Sequence, residues 1–260
     1  MPVYNDNFIQ GIDGHPEVHL KTDEEGNSVF GKTASVQDYK VDWKSPWKEL
    51  FNLKFYKYAG IVDLSPSIRV QNGMLIIQRS DIPFNWSRKI ENPSLIIKDQ
   101  EIFFSTLLAC DVSVKHQNRA KGKNEHIGLL PINESTFLGA PIDNEISLDD
   151  LQSEITGEWI EAFFAADFIK NRESIEKVLE RIKSIPVLSI AAETTQELLS
   201  VGNFSNDLSE EIQEFSSKTA FQVKERIPKA VDAILNWFDN KFQNMNLIAE
   251  QEQIQGEIAK

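Results

Sequence analysis

Glycine and proline are spread very unevenly along this chain: 17 fall in residues 1–145 and 5 in residues 146–260. Both residues interrupt regular helices, glycine through backbone freedom and proline through its missing N–H. The first stretch therefore favours strands and turns, and the second can sustain long helices. The pattern predicts an α+β protein: an N-terminal, mostly antiparallel β-rich part over residues 1–145, then an all-α part over 146–260 with a polar C-terminal tail. The joint is expected between Pro141 and Ser147.

Charge divides the same way. The net charge is −13, made of −3 over residues 1–145 (19 acids, 16 bases) and −10 over 146–260 (21 acids, 11 bases). An acidic chain repels nucleic acid and anionic lipid and favours cationic partners. No apolar run approaches the roughly 18 to 20 residues that cross a bilayer. Residues 1–6 lack the basic and apolar regions of a secretory signal, and the single cysteine has no internal disulfide partner, so a cytoplasmic chain is expected.

Two hairpins are predicted. Ser67–Gln71 and Met74–Gln78 flank Asn72-Gly73, a dipeptide suited to a type I′ turn. Val18–Thr22 and Ser28–Lys32 flank a polar turn. The second hairpin overlaps Gly26-Asn-Ser-Val-Phe-Gly31-Lys32-Thr33, which spells the phosphate-cradling G-x-x-x-x-G-K-T. That loop needs an apolar strand before its first glycine and a helix starting at its lysine. Here Asp23, Glu24 and Glu25 precede Gly26 and would repel a triphosphate, so the hairpin is the preferred reading.

Residues 101–115 alternate with period two. Ile102, Phe104, Thr106, Leu108, Cys110, Val112 and Val114 share one face, which predicts a long strand inside a meander over 94–132. Cys110 is expected to be a buried structural thiol on that face. The second part carries helix signals: an N-cap at Ser147, a core helix over 158–170, an apolar stripe Ile175, Val178, Leu179 and Ile182, a helix over 187–201 capped by Gly202, and a last helix from Asp207 or Ser209 that starts anew or kinks at Pro228. Beyond Ala249 the polar tail is expected to fray.

Candidate interaction residues form two groups. Lys115, His116, Arg119, Lys121 and Lys123 make one basic cluster, read as a hairpin tip that could meet an acidic surface. Trp43, Trp47 and Phe51 lie four apart on one helical face, which fits a core stripe or an aromatic docking face. His15 and His19 lack a third metal ligand. Serine-hydrolase, zinc-protease, C-x-x-C and EF-hand motifs do not occur in the sequence. The function expected is therefore non-enzymatic: a component that associates with another protein or with itself, with no catalytic residue, metal or cofactor and no nucleic acid. Two other readings stay open, a nucleotide-binding enzyme using Gly26, Gly31, Lys32 and Thr33, and a β-hairpin membrane inserter through residues 101–132.

Overall fold

A computed structural model gives the fold of residues 7–9, 18–22, 28–33, 43–71, 74–116, 119, 126–142, 147–202 and 204–258. In the first three of these segments, at residues 71, 74, 76 and 85, and beyond residue 243 it describes the backbone alone. The chain is mixed α+β. Strands β1 (Asn7–Ile9), β2 (Val18–Thr22), β3 (Ser28–Thr33), β4 (Ser67–Gln71) and β5 (Met74–Ser80) form an antiparallel sheet of order β1-β2-β3-β5-β4. Helix α1 (Lys44–Ala59) is inserted between β3 and β4 and packs on β4 and β5. Both predicted hairpins form. Thr22 pairs with Ser28 in one and Gln71 with Met74 in the other, while the turn residues 23–27, 72 and 73 lie outside the described residues.

A second sheet of order β6-β8-β9-β7 follows, from β6 (Phe84–Asn85), β7 (Ile96–Ile97), β8 (Ile127–Pro131) and β9 (Thr136–Pro141). Its pairs are antiparallel except β7 with β9. Helices α2 (Ser87–Glu91) and α3 (Gln100–Val114) interrupt it. The rest is helical: α4 (Gly157–Glu161), a 3₁₀ segment (Phe164–Phe168), α5 (Arg172–Lys183), α6 (Val187–Val201) and α7 (Asn206–Ile258).

The largest correction concerns residues 101–115, which form helix α3 and not a strand. Every residue from Phe103 to Val114 is buried, because α1, α5, α7, the 3₁₀ segment and β9 surround the helix. A helix buried on all sides has no polar face, so its sequence carries no 3.6-residue period. The close approach to β9 occurs at Gly139, where any side chain would run into the Phe103 ring. With α3 in the interior, the membrane-inserting hairpin over 101–132 is not formed. No helix among the described residues is long and apolar enough to cross a membrane.

Cys110 is fully buried, as expected from its apolar neighbours, though on a helix. Burial raises its thiol well above the usual range. Thiol reagents act on the thiolate. Native protein is therefore expected to label at least about a hundredfold more slowly than urea-unfolded protein, and similar rates would contradict the packing of α3.

Elsewhere the helix signals are partly corrected. Helix α5 buries the predicted stripe Ile175, Val178, Leu179 and Ile182, and the Asn171 side chain caps it by accepting from Glu173 N–H at 2.8 Å. The core helix expected over 158–170 is divided into α4 and the 3₁₀ segment, with Thr156 capping α4. Ser147 caps no helix. Gly202 ends α6 in an extended conformation. Helix α7 continues through Pro228, and its backbone stays helical to Ile258 instead of fraying after Ala249. At the end of α1, Gly60 (φ 97°) supplies the left-handed cap and its N–H bonds the Lys57 carbonyl at 3.0 Å.

Candidate functional site

The two parts of the chain meet at the C-terminal end of α3. Its last turn leaves carbonyls that the helix cannot satisfy. Leu148 N–H donates to Val114 O at 2.8 Å, and Arg226 from α7 donates through Nε to Val112 O at 2.9 Å. Arg226 Nη1 also reaches Leu151 O (2.7 Å) and Ser153 O (2.8 Å). Residues 147–153 thus form a strap held to α3 and α7. Helix α1 holds it too: Asn52 donates to Ser147 Oγ, and Lys48 Nζ pairs with Asp149 at 2.7 Å. Lys115 Nζ pairs with Asp150 at 2.7 Å.

The backbone here is strained. Lys115 (φ 52°), Leu148 (φ 65°) and Asp150 (φ 48°) all occupy the left-handed region. Each such non-glycine residue costs of order 1 kcal/mol or more, and persists only where neighbours enforce it. The hydrogen bonds and ion pairs just described do the enforcing.

Beneath the strap lies a buried polar cluster. Tyr56 Oη donates to Asp111 Oδ1 at 2.6 Å. Arg119 Nη1 donates to the same oxygen at 2.5 Å and to Tyr56 Oη at 3.0 Å. Arg119 Nη2 reaches Ile142 O at 3.1 Å, and the Arg119 carbonyl accepts Phe164 N–H at 2.9 Å. Asp111 is fully buried, and its Oδ2 has no hydrogen-bond partner among the described residues. Burial pushes the Asp111 carboxyl from 3.8 up to about 6, although Arg119 and Tyr56 pull it back. Burial also raises the Tyr56 hydroxyl well above its ordinary value. The cluster ties α1, α3, the segment after α3 and the end of β9 together, and its functional groups face one another instead of solvent.

This arrangement buries most of the described residues of both candidate interaction groups. Arg119 is 1% exposed and His116 is fully buried, so neither belongs to a solvated tip. Lys115 spends its charge on Asp150. Lys121 and Lys123 lie outside the described residues. Trp43, Trp47 and Phe51 are core residues of α1, with Trp43 and Trp47 packed edge-on against Phe215 of α7. The phosphate-loop spelling fails on geometry. Gly31, Lys32 and Thr33 lie inside β3, paired with β5 and, through Gly31 and Lys32, with β2, and no helix starts at Lys32. Gly26 and His15 lie outside the described residues, while His19 sits in β2. No group of three His, Cys, Asp or Glu side chains among the described residues could hold a metal ion.

Sequence reasoning missed Tyr56, Asp111 and the strap. An acid inside an apolar run is the signal that could have flagged Asp111, since such a group must find a partner when buried.

No protein-family model and no curated protein matches this sequence. Solved structures do match its fold. Among them is a crystal structure of a Helicobacter pylori proinflammatory kinase, CtkA. It aligns with 92% of this chain and 96% of its own, at a TM-score of 0.53 and 12% identity. At that identity the likeness concerns the fold alone.

Proposed function

We propose that this chain is a binding protein on a kinase-like scaffold, one that works by association with other proteins and does not transfer phosphate. Its support begins with the end of α3. In protein kinases a loop spelled H-R-D-x-x-x-x-N supplies the aspartate that accepts the proton of the substrate hydroxyl. This chain reads His116-Gln117-Asn118, and from Lys115 to Asn124 it has no carboxylate. A carboxamide takes up no proton at neutral pH. Glu125, the next residue, lies outside the described residues; Asp111, on the α3 side of this segment, is fully buried and held by Arg119 and Tyr56. It is thus kept from the roughly 2.6–3.2 Å approach that a general base needs. That burial is the observation on which the reading rests. The association half draws on the net charge of −10 over residues 146–260 and on exposed apolar side chains of the helical part, Leu188 and Phe221.

The test is a transfer assay on the full chain with Mg²⁺ and γ-labelled ATP, with and without acceptor proteins. No labelling of chain or acceptor is expected. Labelling by the wild-type chain that disappears in Lys32→Ala would overturn the reading.

A second reading, nucleotide binding, is favoured by a different observation. Kinases pair a strand-borne lysine with a glutamate on a helix to grip the nucleotide phosphates. Lys32 lies in β3, and the next element, α1, carries the buried Glu49. Against it stand Asp23, Glu24 and Glu25 in the β2–β3 connection. Calorimetry with Mg²⁺-ATP separates the two: micromolar affinity lost in Lys32→Ala would make nucleotide a ligand of this protein, and no heat is the result the first reading expects.

A further inference from the structure

Helices α6 and α7 lie side by side and leave an open groove of about 800 Å³ between them. Small residues line much of it, Ala191, Ala192 and Thr195 from α6 and Ser216, Ser217 and Ala220 from α7, with Gln196, Leu199 and Gln213 beside them. The polar atoms of its floor are already satisfied. Trp47 Nε1 donates to Thr195 Oγ1 at 3.0 Å, Thr195 Oγ1 donates to Ser216 Oγ at 2.7 Å, and Ser216 Oγ donates to Ala191 O at 3.3 Å. The floor therefore offers carbon surface and asks for no polar ligand. At the rim stand Leu188, 46% exposed, and Phe221, 57% exposed, the one phenylalanine among the exposed large apolar side chains described. Leu188 also borders a second cavity of about 410 Å³, which continues along the same face past Lys183, Lys224 and Pro228.

A knob beside a hole on one face is what an isologous contact requires, since both copies present the same patch. The charges agree. On α7 the exposed residues Glu210, Gln213, Glu214, Ser217, Phe221, Lys224 and Pro228 recur at three- and four-residue spacing and form one stripe. Acids occupy its N-terminal end, and Lys224, with Lys183 nearby, its other end. An antiparallel crossing centred on residue 219 sets Phe221 over Ser217 of the second copy and Lys224 over Glu214 of the second copy. We propose that the α6–α7 face joins two copies of this chain about a two-fold axis, with Phe221 of each seated in the small-residue groove of the other. The proposal rests on the binding reading above and names a partner for it.

Sedimentation equilibrium of the full 260-residue chain tests it, from about 1 to about 100 μM, with circular dichroism to verify folding. The wild type is expected to dimerise. Phe221→Asp should weaken the dimer at least about tenfold, as loss of a central aromatic anchor does. Glu214→Lys and Lys224→Glu should each weaken it several-fold, because each sets like charges opposite each other twice per dimer. The double variant Glu214→Lys/Lys224→Glu should recover to within about twofold of wild type, because the exchange restores opposite charges. A wild-type monomer over the whole range overturns the proposal, as does a dimer indifferent to Phe221→Asp. A double variant no tighter than either single overturns the two-fold arrangement. Failure here is distinct from failure of the binding reading: a monomer that transfers no phosphate sinks only the self-docking face, and a dimer that transfers phosphate sinks only the binding reading.

Discussion

Replacing Arg119 with methionine is expected to destabilise the protein by about 3–5 kcal/mol at pH 8, the cost of breaking a buried ion pair from one side. Arg119 is 1% exposed and Asp111 is fully buried, so solvent cannot take over the lost contact. The variant leaves an uncompensated carboxylate under the strap, and removes the donor to Ile142 O as well. The double variant Asp111→Asn/Arg119→Met should cost far less than the sum of the two singles, because it removes both charges. The loss should also depend on pH. The folded-state value of Asp111 is raised from 3.8 to about 6 by burial, so its neutral form is favoured in the fold. Stability from this group is therefore fully present below pH 3.8 and declines as pH rises through about 6, by about 3 kcal/mol at about 1.4 kcal/mol per pH unit. At pH 5 Asp111 is largely neutral and Arg119→Met should cost less than at pH 8. Urea unfolding of the wild type, the two singles and the double at both pH values measures all of this. A loss below about 1 kcal/mol at pH 8, or strict additivity, would show that the cluster does not hold the junction.

What the sequence disclosed, and what it concealed, follows from which contacts are local. The β4–β5 hairpin was legible because Asn72-Gly73 and its flanking strands are adjacent in the chain. Helix α5 was legible because solvent covers one side, leaving polar residues between Ile175, Val178, Leu179 and Ile182. Helix α3 was illegible by periodicity because other elements cover all its sides. Its length was the remaining clue, since strands rarely reach 15 residues. The junction was hidden for another reason. Arg119 meets Asp111 and Tyr56 only after the chain has left α3 through a left-handed Lys115, and the strap returns from residues 147–153. Read linearly, those basic residues form a cluster that looks solvated, and only the fold buries Arg119. The uneven glycine and proline content did report a real asymmetry: every described strand ends by Pro141, and α4 to α7 all follow it. It did not reveal that α1 to α3 lie within the first part.

Trp47 offers the second large effect, and it separates core from surface directly. As part of a docking face, its truncation would leave the fold intact and abolish association. The structure gives the opposite expectation. Trp47 is fully buried on α1, stacked on Phe51 with ring centroids 5.1 Å apart, and edge-on to Phe215 at 5.3 Å. Its indole N–H enters the hydroxyl relay through Thr195 to Ser216, which links α1 to both α6 and α7. Trp47→Ala is expected to cost about 3–5 kcal/mol, from lost apolar burial and the cavity left between three helices. Trp47→Phe keeps most of the stacking and loses the donor to Thr195, so a loss nearer 1 kcal/mol is expected. The relay also forms the floor of the α6–α7 groove, so Trp47→Ala should loosen the packing of these helices first. Urea unfolding followed by the fluorescence of the remaining tryptophans measures both variants. A Trp47→Ala protein as stable as wild type would move Trp47 out of the core and return the α1 aromatic stripe to the list of docking faces.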